Sequence, residues 1–452
     1  MNGIDTATLN ASLRREVRFK VVELLDDLLE EQQIDTLCRA AGHRCRRRLF
    51  TPYVTICGLL IQALDDKKSQ AKAVIDLMHQ LEALHMRVGS HDPSSFCAAR
   101  QRLPQEVLPT LVQRVGDRLE EQVPASWRTF GRPVKLVDGT TVSMPDSLEN
   151  REYFGCPSNQ HDSCSMPLAR VTALFSLQTG AVLSARISPY RTSENQQWMS
   201  LMQDLEAGDI VVGDRLFGSY AAIAMLRERK VDGIFRVNQR RKVPRGNWTE
   251  CVVTWKKELM PAGMQADDYQ RLAPQMKVRL IRANQIDPKS KHRKEVIIVT
   301  TLLDKRRYPA KKIVELYGRR WDVELNLRHI KSTMNMAILS GQKPQTVRLE
   351  FHAHLLAYNL LRNVMWKAGL SRGINPIRLS LEAARQEVLA WYRFHITRPA
   401  KGHSALLDAV ASHRIPHRPG RTEPRLLRRA RRKYQLMNKP RHLLREQMSM
   451  TP

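Results

Sequence analysis

The spacing of apolar residues changes along the chain and divides it into three segments. Between residues 16 and 122, apolar positions recur every three or four residues, as at Val21, Leu24 and Leu28. This spacing places them on one face of a helix, and the Asp-Pro-Ser-Ser sequence at 92–95 is a typical helix start. We therefore predict a helical N-terminal domain over residues 1–125.

Short apolar runs typical of strands replace the helical spacing after Pro133. They occur at 134–137, 171–177, 181–187, 210–212, 233–237 and 295–302. Gln178-Thr179-Gly180 separates the second run from the third, as a hairpin turn would. Helical stretches at 193–205, at 220–229 and from 309 onward alternate with the later runs, which predicts a mixed α/β domain over residues 126–340. The polar, basic sequence at 238–294 is predicted to be a mostly β insertion within that domain.

The third segment, residues 345–452, has amphipathic helical spacing at 347–368 and 379–396, followed by a Pro- and Arg-rich tail. Residues 415–452 contain 11 Lys plus Arg against 2 acidic residues. Such a tail favours flexible contact with nucleic acid, with solubility alone as the alternative. For the whole segment we predict dimerisation and DNA contact.

The net charge points to a polyanionic partner. The 452 residues include 74 Lys plus Arg and 45 Asp plus Glu, a formal charge of +29. Residues 1–125 contain 17 basic and 17 acidic residues, so the excess belongs to the rest of the chain. The arginines at positions 44 and 46–48 form a local cluster that is either a phosphate contact or a solvated charge run.

The sequence does not favour a membrane protein or a fold built around a structural zinc ion. The longest apolar stretch, 53–64, is shorter than the roughly 20 residues that cross a bilayer, and the N-terminus is polar, so we expect no membrane partner and a cytoplasmic location. The seven cysteines form no C-x-x-C pair. Cys156, His161 and Cys164 lie close together in sequence but lack a fourth zinc ligand.

Three carboxylates stand out by their order in the predicted fold. Asp138 ends the first predicted strand, Asp214 follows the strand at 210–212, and Glu324 lies in the helix after the last strand. Taken singly, they could be a turn residue, half of a surface ion pair and an ordinary helical glutamate. Two strand ends and a helix could nevertheless bring all three together.

Helical geometry groups Glu324 with other functional side chains. At about 100° per residue, Arg320, Glu324 and Lys331 lie at about −60°, −20° and −40° from Tyr317, a stripe about 60° wide. Trp321 and Arg328 adjoin this stripe, at about +40° and +20°. The alternative is a solvated helix face with ion pairs such as Arg320 to Glu324.

The spacing Tyr317-x2-Arg320-x3-Glu324-x6-Lys331 resembles the Y-(2)-R-(3)-E-(6)-K pattern of the insertion sequence four family of DDE transposases. The resemblance extends to Asp138-Gly139-Thr140, to Gly213-Asp214-Arg215, and to the Arg- and Pro-rich end. It implies a ribonuclease H-like fold, in which the two aspartates lie on adjacent strands and the glutamate approaches from a helix. It also implies that one site performs hairpin formation, hairpin opening and strand transfer.

The three carboxylates suit divalent-metal chemistry on DNA. Two ions about 4 Å apart can activate the attacking oxygen and stabilise the leaving oxyanion. Carboxylate oxygens are ligands that Mg²⁺ prefers. We therefore predict that Asp138, Asp214 and Glu324 hold Mg²⁺, two ions with Mn²⁺ as a substitute. The expected partners are double-stranded DNA with terminal inverted repeats, target DNA, and a second copy of the chain on DNA.

Six side chains are predicted DNA contacts because Arg and Lys can neutralise phosphate and Tyr can donate a hydrogen bond. They are Arg215, Tyr317, Arg320, Trp321, Arg328 and Lys331. The chain departs from the family at one point: some members stack a flipped base on a tryptophan at the start of the strand before the last helix, where this sequence has Glu295-Val296. Trp248 or Trp255 could substitute, or could belong to the core of the insertion.

Three functions remain open from the sequence. The first is a cut-and-paste transposase. The second is a metal-dependent ribonuclease H-like nuclease without strand transfer, which would have no need for the stripe of Tyr317, Arg320 and Lys331. The third is a catalytically idle DNA-binding regulator, against which the three intact carboxylates argue.

Overall fold

The structure is a computed structural model, and it describes residues 31–44, 49–83, 88–157, 165–239, 241–261, 263–286, 293–394, 402–416 and 446–447. Its helices are α1 Glu31–Ala40, α2 Pro52–Leu64, α3 Gln70–Ala83, α4 Ser94–Arg102, α5 Val107–Glu121, α6 Leu148–Phe154, α7 Glu194–Leu201, α8 Tyr220–Glu228, α9 Ala266–Arg271, α10 Ala310–Gly318, α11 Trp321–Arg328, α12 Pro344–Ser371, α13 Leu381–Phe394 and α14 Gly402–Ser412. Its strands are β1 Val134–Ser143, β2 Leu168–Ser176, β3 Val182–Pro189, β4 Ile210–Gly213, β5 Asp232–Arg236, β6 Glu250–Lys256, β7 Gln275–Ile286 and β8 Arg293–Thr300.

The strands form one eight-stranded sheet in the order β3-β2-β1-β4-β5-β8-β7-β6. β4 pairs in parallel with both β1 and β5, and the remaining neighbours are antiparallel. The mixed α/β prediction is therefore confirmed. Within the predicted insertion, β6 and β7 continue this same sheet beyond β8.

The two faces of the sheet are covered by different helices because side chains alternate along each strand. Leu136 and Val212 face a large apolar cluster that includes residues of α2, α5, α10, α11 and α12. Val137 and Val211 face a second cluster built around Trp198 of α7 and the apolar side of α8. Helices therefore cover the central strands on both sides.

Packing is continuous across the predicted segment boundaries at 125 and 345. The 28-residue helix α12 is buried along most of its length and contacts α2, α5 and β3. Asn359 of α12 shows the connection, since its Nδ2 donates to the carbonyls of Val112 on α5 and Val182 on β3, at 3.0 and 2.7 Å. The helices before and after the sheet thus share one core with it.

Several local predictions hold and others need correction. The hairpin around Gln178-Thr179-Gly180 is confirmed as β2 and β3, with Gly180 at a φ of +69°. The predicted helix at 347–368 is α12, while α6 and α14 were not predicted. None of the described helices is long and apolar enough to cross a membrane. Positions 46–48, His161, Cys164 and almost all of the tail from 417 lie outside the described residues.

Candidate active site

The parallel pairing of β1 with β4 brings the two aspartates together. The register runs from Val134 opposite Ile210 to Val137 opposite Gly213, and the next residue on each strand is an aspartate. A Cβ at position 213 would lie 2.7 Å from Val137 Cγ1, so a glycine lets the two strands approach here. Asp138, within β1, and Asp214, directly after β4, therefore occupy neighbouring positions at the carboxyl end of this parallel pairing.

The prediction that Asp138 ends its strand was wrong. β1 continues to Ser143, and Asp138 pairs with Ala173 of the antiparallel neighbour β2. Only the parallel partner stops at this point, because the chain turns after Asp214, whose Oδ1 accepts from the Leu216 N–H at 3.3 Å. Pairing with β2 holds the backbone of Asp138 on one side, and its side chain is half-buried.

Glu324 reaches the same region from α11, on the face of the sheet that carries the larger apolar cluster. Its Oε1 lies 3.3 Å from Nη2 of Arg320, and its side chain keeps 31% of its surface exposed. The guanidinium of Arg320 lies 4.3 Å from the ring centre of Trp321 and is largely buried. The ion pair between Arg320 and Glu324, which the sequence suggested as the alternative to a DNA-binding stripe, is therefore present.

Electrostatics link these groups around Asp138. The pKa of Asp138 is raised from its ordinary 3.8 to about 6, mainly by burial, and the charges of Glu324 and Asp214 contribute to this rise. The Gly139 N–H, which donates to Asp138 Oδ1 at 2.8 Å, and the Arg320 charge act in the opposite direction. Three carboxylates and one guanidinium therefore influence one another at this site.

The prediction of one exposed stripe from Tyr317 to Lys331 was wrong, because the segment is not one regular helix. α10 ends at Gly318, and i to i−3 bonds tighten the chain before α11, including Arg320 N to Tyr317 O at 3.0 Å. A π-helical turn, His329–Thr333, then widens it. Tyr317 is 5% exposed and Arg320 is 8% exposed, so neither lies on a solvated face.

The tertiary structure nevertheless keeps these side chains at the site. Burial raises the pKa of Tyr317, and the nearby charges of Arg320 and Asp214 have opposing effects on it. Nζ of Lys331 donates to Oγ1 of Thr140 at 3.1 Å. Thr140 follows Asp138 by two residues on the same face of β1, which is roughly 7 Å along a strand.

The other predicted DNA contacts differ in exposure. Arg328 is exposed, whereas Arg215 and Trp321 are half-buried. In the insertion, Trp255 is buried in the second apolar cluster, and Trp248 is half-buried beneath the guanidinium of Arg282. Trp255 therefore belongs to the core of the insertion.

The three carboxylates fit a divalent cation by the chemistry of their oxygen donors. Among the residues with described positions, no group of three or more His, Cys, Asp or Glu side chains is already gathered as a metal site. Glu324 is paired with Arg320 instead, with its Oε1 3.3 Å from Nη2 of the arginine. Placing all three carboxylates on one ion would require Glu324 to exchange this pairing for the metal.

Residues 129–360, just over half of the chain, match the family model described as a transposase DDE domain. The chain belongs to the DDE transposase family. The match spans Asp138, Asp214 and the whole segment from Tyr317 to Lys331. The prediction drawn from the Tyr, Arg, Glu and Lys spacing is therefore confirmed at the level of the family, a class of DNA-cleaving and strand-transfer enzymes that use divalent metal ions.

Named relatives of this DDE transposase are insertion sequence transposases. The transposase InsG for insertion sequence element IS4 of Escherichia coli K12 is 24% identical over 303 residues, 64% of each chain. A probable transposase for element IS5377 of Geobacillus stearothermophilus is 21% identical over 343 residues, 75% of this chain and 83% of that one. The alignment thus covers less than two thirds of the IS4 transposase.

Among solved structures, a piggyBac transposase synaptic complex with hairpin DNA is similar with a TM-score of 0.46 and 10% sequence identity. The similarity covers 90% of this chain and 87% of that one.

Proposed function

We propose that this DDE transposase moves an insertion sequence by cut-and-paste transposition, cleaving the element ends and joining them to target DNA. The observation that supports the proposal is that Asp138 and Asp214 occupy neighbouring positions of the parallel pair β1 and β4, with Glu324 of α11 near enough for its charge to raise the pKa of Asp138. Adjacent aspartate strands and a glutamate on a helix are the features expected of a ribonuclease H-like core, and we assign the central sheet to that fold.

Asp138, Asp214 and Glu324 would hold two Mg²⁺ ions, with Mn²⁺ as a substitute. Bound ions would supply activation of the attacking oxygen and stabilisation of the leaving one. In cleavage, a water oxygen attacks phosphorus at the element end and the 3′ oxygen leaves as a free hydroxyl. In strand transfer, that hydroxyl attacks a target phosphodiester, and the target's own 3′ oxygen leaves.

The basic side chains would grip the DNA end beside these carboxylates. Lys331 lies against Thr140 on the strand of Asp138, which supports the proposal that its ammonium would neutralise a phosphate next to the reacting bond. In the structure, Arg320 is paired with Glu324. If Glu324 instead held a metal ion, Arg320 would be free to bind phosphate, so metal binding and DNA binding would support each other.

Further DNA contacts and assembly complete the proposal. We propose that Tyr317, Trp321, Arg215 and Arg328, which lie in the segments next to Asp214 and Glu324, also contact the end. Residues 1–125 would bind the inverted repeats, and residues 345–452 would contribute DNA contact and dimerisation. A dimer on DNA would hold both ends of the element together.

The experiment compares purified wild-type protein with Asp138→Ala, Asp214→Ala and Glu324→Ala on DNA carrying the inverted repeats that flank the reading frame. Each variant should lose cleavage in Mg²⁺ by about 1,000-fold or more, equivalent to about 4 kcal/mol of transition-state stabilisation. End binding in a mobility-shift assay should persist. Asp268→Ala, which removes an exposed carboxylate on α9, is the matched control and should cleave normally. Normal cleavage by any one of the three site variants would refute the assignment.

A further inference from the structure

A buried arginine outside the sequence motif joins three parts of the fold behind α11. Arg362 of α12 is 4% exposed. Its Nε donates to the hydroxyl of Tyr358 at 2.8 Å, and its Nη2 donates to Oδ1 of Asn326 on α11 at 2.8 Å. The Tyr358 hydroxyl donates in turn to the carbonyl of Gly180, in the β2–β3 turn, at 2.8 Å.

The turn is shaped to admit this guanidinium. Gly180 has a φ of +69°, and a Cβ there would lie 3.0 Å from Cζ of Arg362. A glycine suits both the backbone angle and the close approach. The hairpin, α12 and α11 are therefore tied at one point by directional hydrogen bonds.

His329 adds a second contact at the start of the π-helical turn. Nη2 of Arg362 lies 3.5 Å from Nδ1 of His329. The pKa of His329 is lowered to about 4, mainly by burial, with contributions from the charges of Arg362 and Arg328. The ring is therefore neutral at pH 7, and its Nδ1 can present a lone pair to the arginine.

α11 needs such ties because it is short and bounded by irregular turns. Helices shorter than about 12 residues are marginal alone, so tertiary contacts must fix its orientation. Val323 and Leu327 bury its apolar side, but apolar packing is not directional. A rotation of about 20° around the helix axis would move a carboxylate lying roughly 6 Å from that axis by about 2 Å.

We propose that Arg362 is a positioning residue of the transposase: by bonding Asn326 and His329, it sets the rotation of α11 and the π-helical turn. This rotation determines where Glu324 lies relative to Asp138, and it keeps Lys331 against Thr140. This inference rests on the proposed function for its effect on cleavage, and extends it to side chains that the Tyr, Arg, Glu and Lys spacing does not contain. A misplacement of about 1 Å can cost about 100-fold in rate, which sets the scale of the effect.

The test uses Asn326→Leu and Asn326→Asp, which are close in size and differ in the acceptor offered to Arg362. Asn326→Leu removes that acceptor, whereas Asn326→Asp keeps it. With Asn326→Leu, cleavage at saturating end DNA should slow by about 10- to 100-fold while the Kd for the end changes less than about twofold. Asn326→Asp should recover most of the rate. Arg362→Met should behave as Asn326→Leu does, and Arg372→Met, at an exposed arginine that caps α12, should have no effect.

Amide hydrogen exchange of residues 321–333 provides a second measurement that does not depend on activity. These amides should exchange about tenfold faster in Asn326→Leu and Arg362→Met, and at the wild-type rate in Asn326→Asp. Unchanged exchange, or equal behaviour of the two Asn326 variants, would overturn the inference. If wild-type protein failed to cleave while the exchange differences appeared, the proposed function would fall and the positioning of α11 by Arg362 would stand.

Discussion

Replacing Asp138 with asparagine should stabilise the metal-free protein at neutral pH while it abolishes cleavage. The carboxyl group has a pKa of about 6 in the folded protein against an ordinary 3.8, mainly because it is buried beside two other carboxylates. A pKa difference of this size corresponds to about 3 kcal/mol. Asparagine keeps an oxygen for the Gly139 N–H and carries no charge that would need to be buried.

The sign of the effect follows from proton binding. The folded state binds the Asp138 proton more tightly than the unfolded state, so the free energy of unfolding falls as the pH rises from about 4 to about 6. Above about pH 6 the full penalty is present in the wild type. The Asp138→Asn variant lacks this titration, and its advantage should grow from near zero at pH 4 to about 3 kcal/mol at pH 7.

Urea unfolding followed by circular dichroism, with EDTA present, measures this difference between pH 4 and pH 8. A stability gap that is independent of pH, or a variant less stable than the wild type at pH 7.5, would refute the reasoning. Added Mg²⁺ is the internal control. At 100 times its Kd it should stabilise the wild type by about 2.7 kcal/mol and have little effect on the variant, which lacks one ligand.

Three further predictions test other parts of the structure. Lys331→Ala should remove about one phosphate contact, which should lower the slope of log Kd against log salt concentration for end binding by about 1. Lys331→Arg should keep the wild-type slope. Asn359→Leu should lower the free energy of urea unfolding by about 3 kcal/mol, since it leaves the buried N–H and C=O of Val182 without their partner; a loss below about 1 kcal/mol would contradict this. Lys135→Met should cost about 3 to 5 kcal/mol in the same assay because Asp209, 2.7 Å away and 3% exposed, would be left buried without a counter-charge, and adding Asp209→Asn should restore part of the loss.

Local patterns in the sequence were sufficient to predict the family and much of the order of helices and strands. Alternation and turn residues located the β2–β3 hairpin, because side chains alternate along strands and glycine accepts a positive φ. Fixed spacing located Glu324 and Lys331 as members of one motif. Such signals depend on neighbours in the chain, so they can be read without the fold.

The geometry of the site could not be read in the same way. A regular helix was assumed from Tyr317 to Lys331, but a tightened turn and a π-helical turn change the angle per residue. These irregularities are stable only where tertiary contacts favour them, as at His329 beside Arg362. The burial of Tyr317 likewise comes from the packing of α10 on the sheet, which its own sequence does not specify.

The amino-acid sequence by itself determined the three carboxylates, the motif and the excess of positive charge, since these are properties of residue type and spacing. Only the tertiary structure decided that Asp138 lies within a continuous strand and that Arg362, 38 residues beyond Glu324, supports the helix that carries it. The physical reason is that hydrogen bonds between distant segments form only after the chain has folded. Their partners follow no local spacing, so the residues that orient this site are found in the packing of α11 against α12.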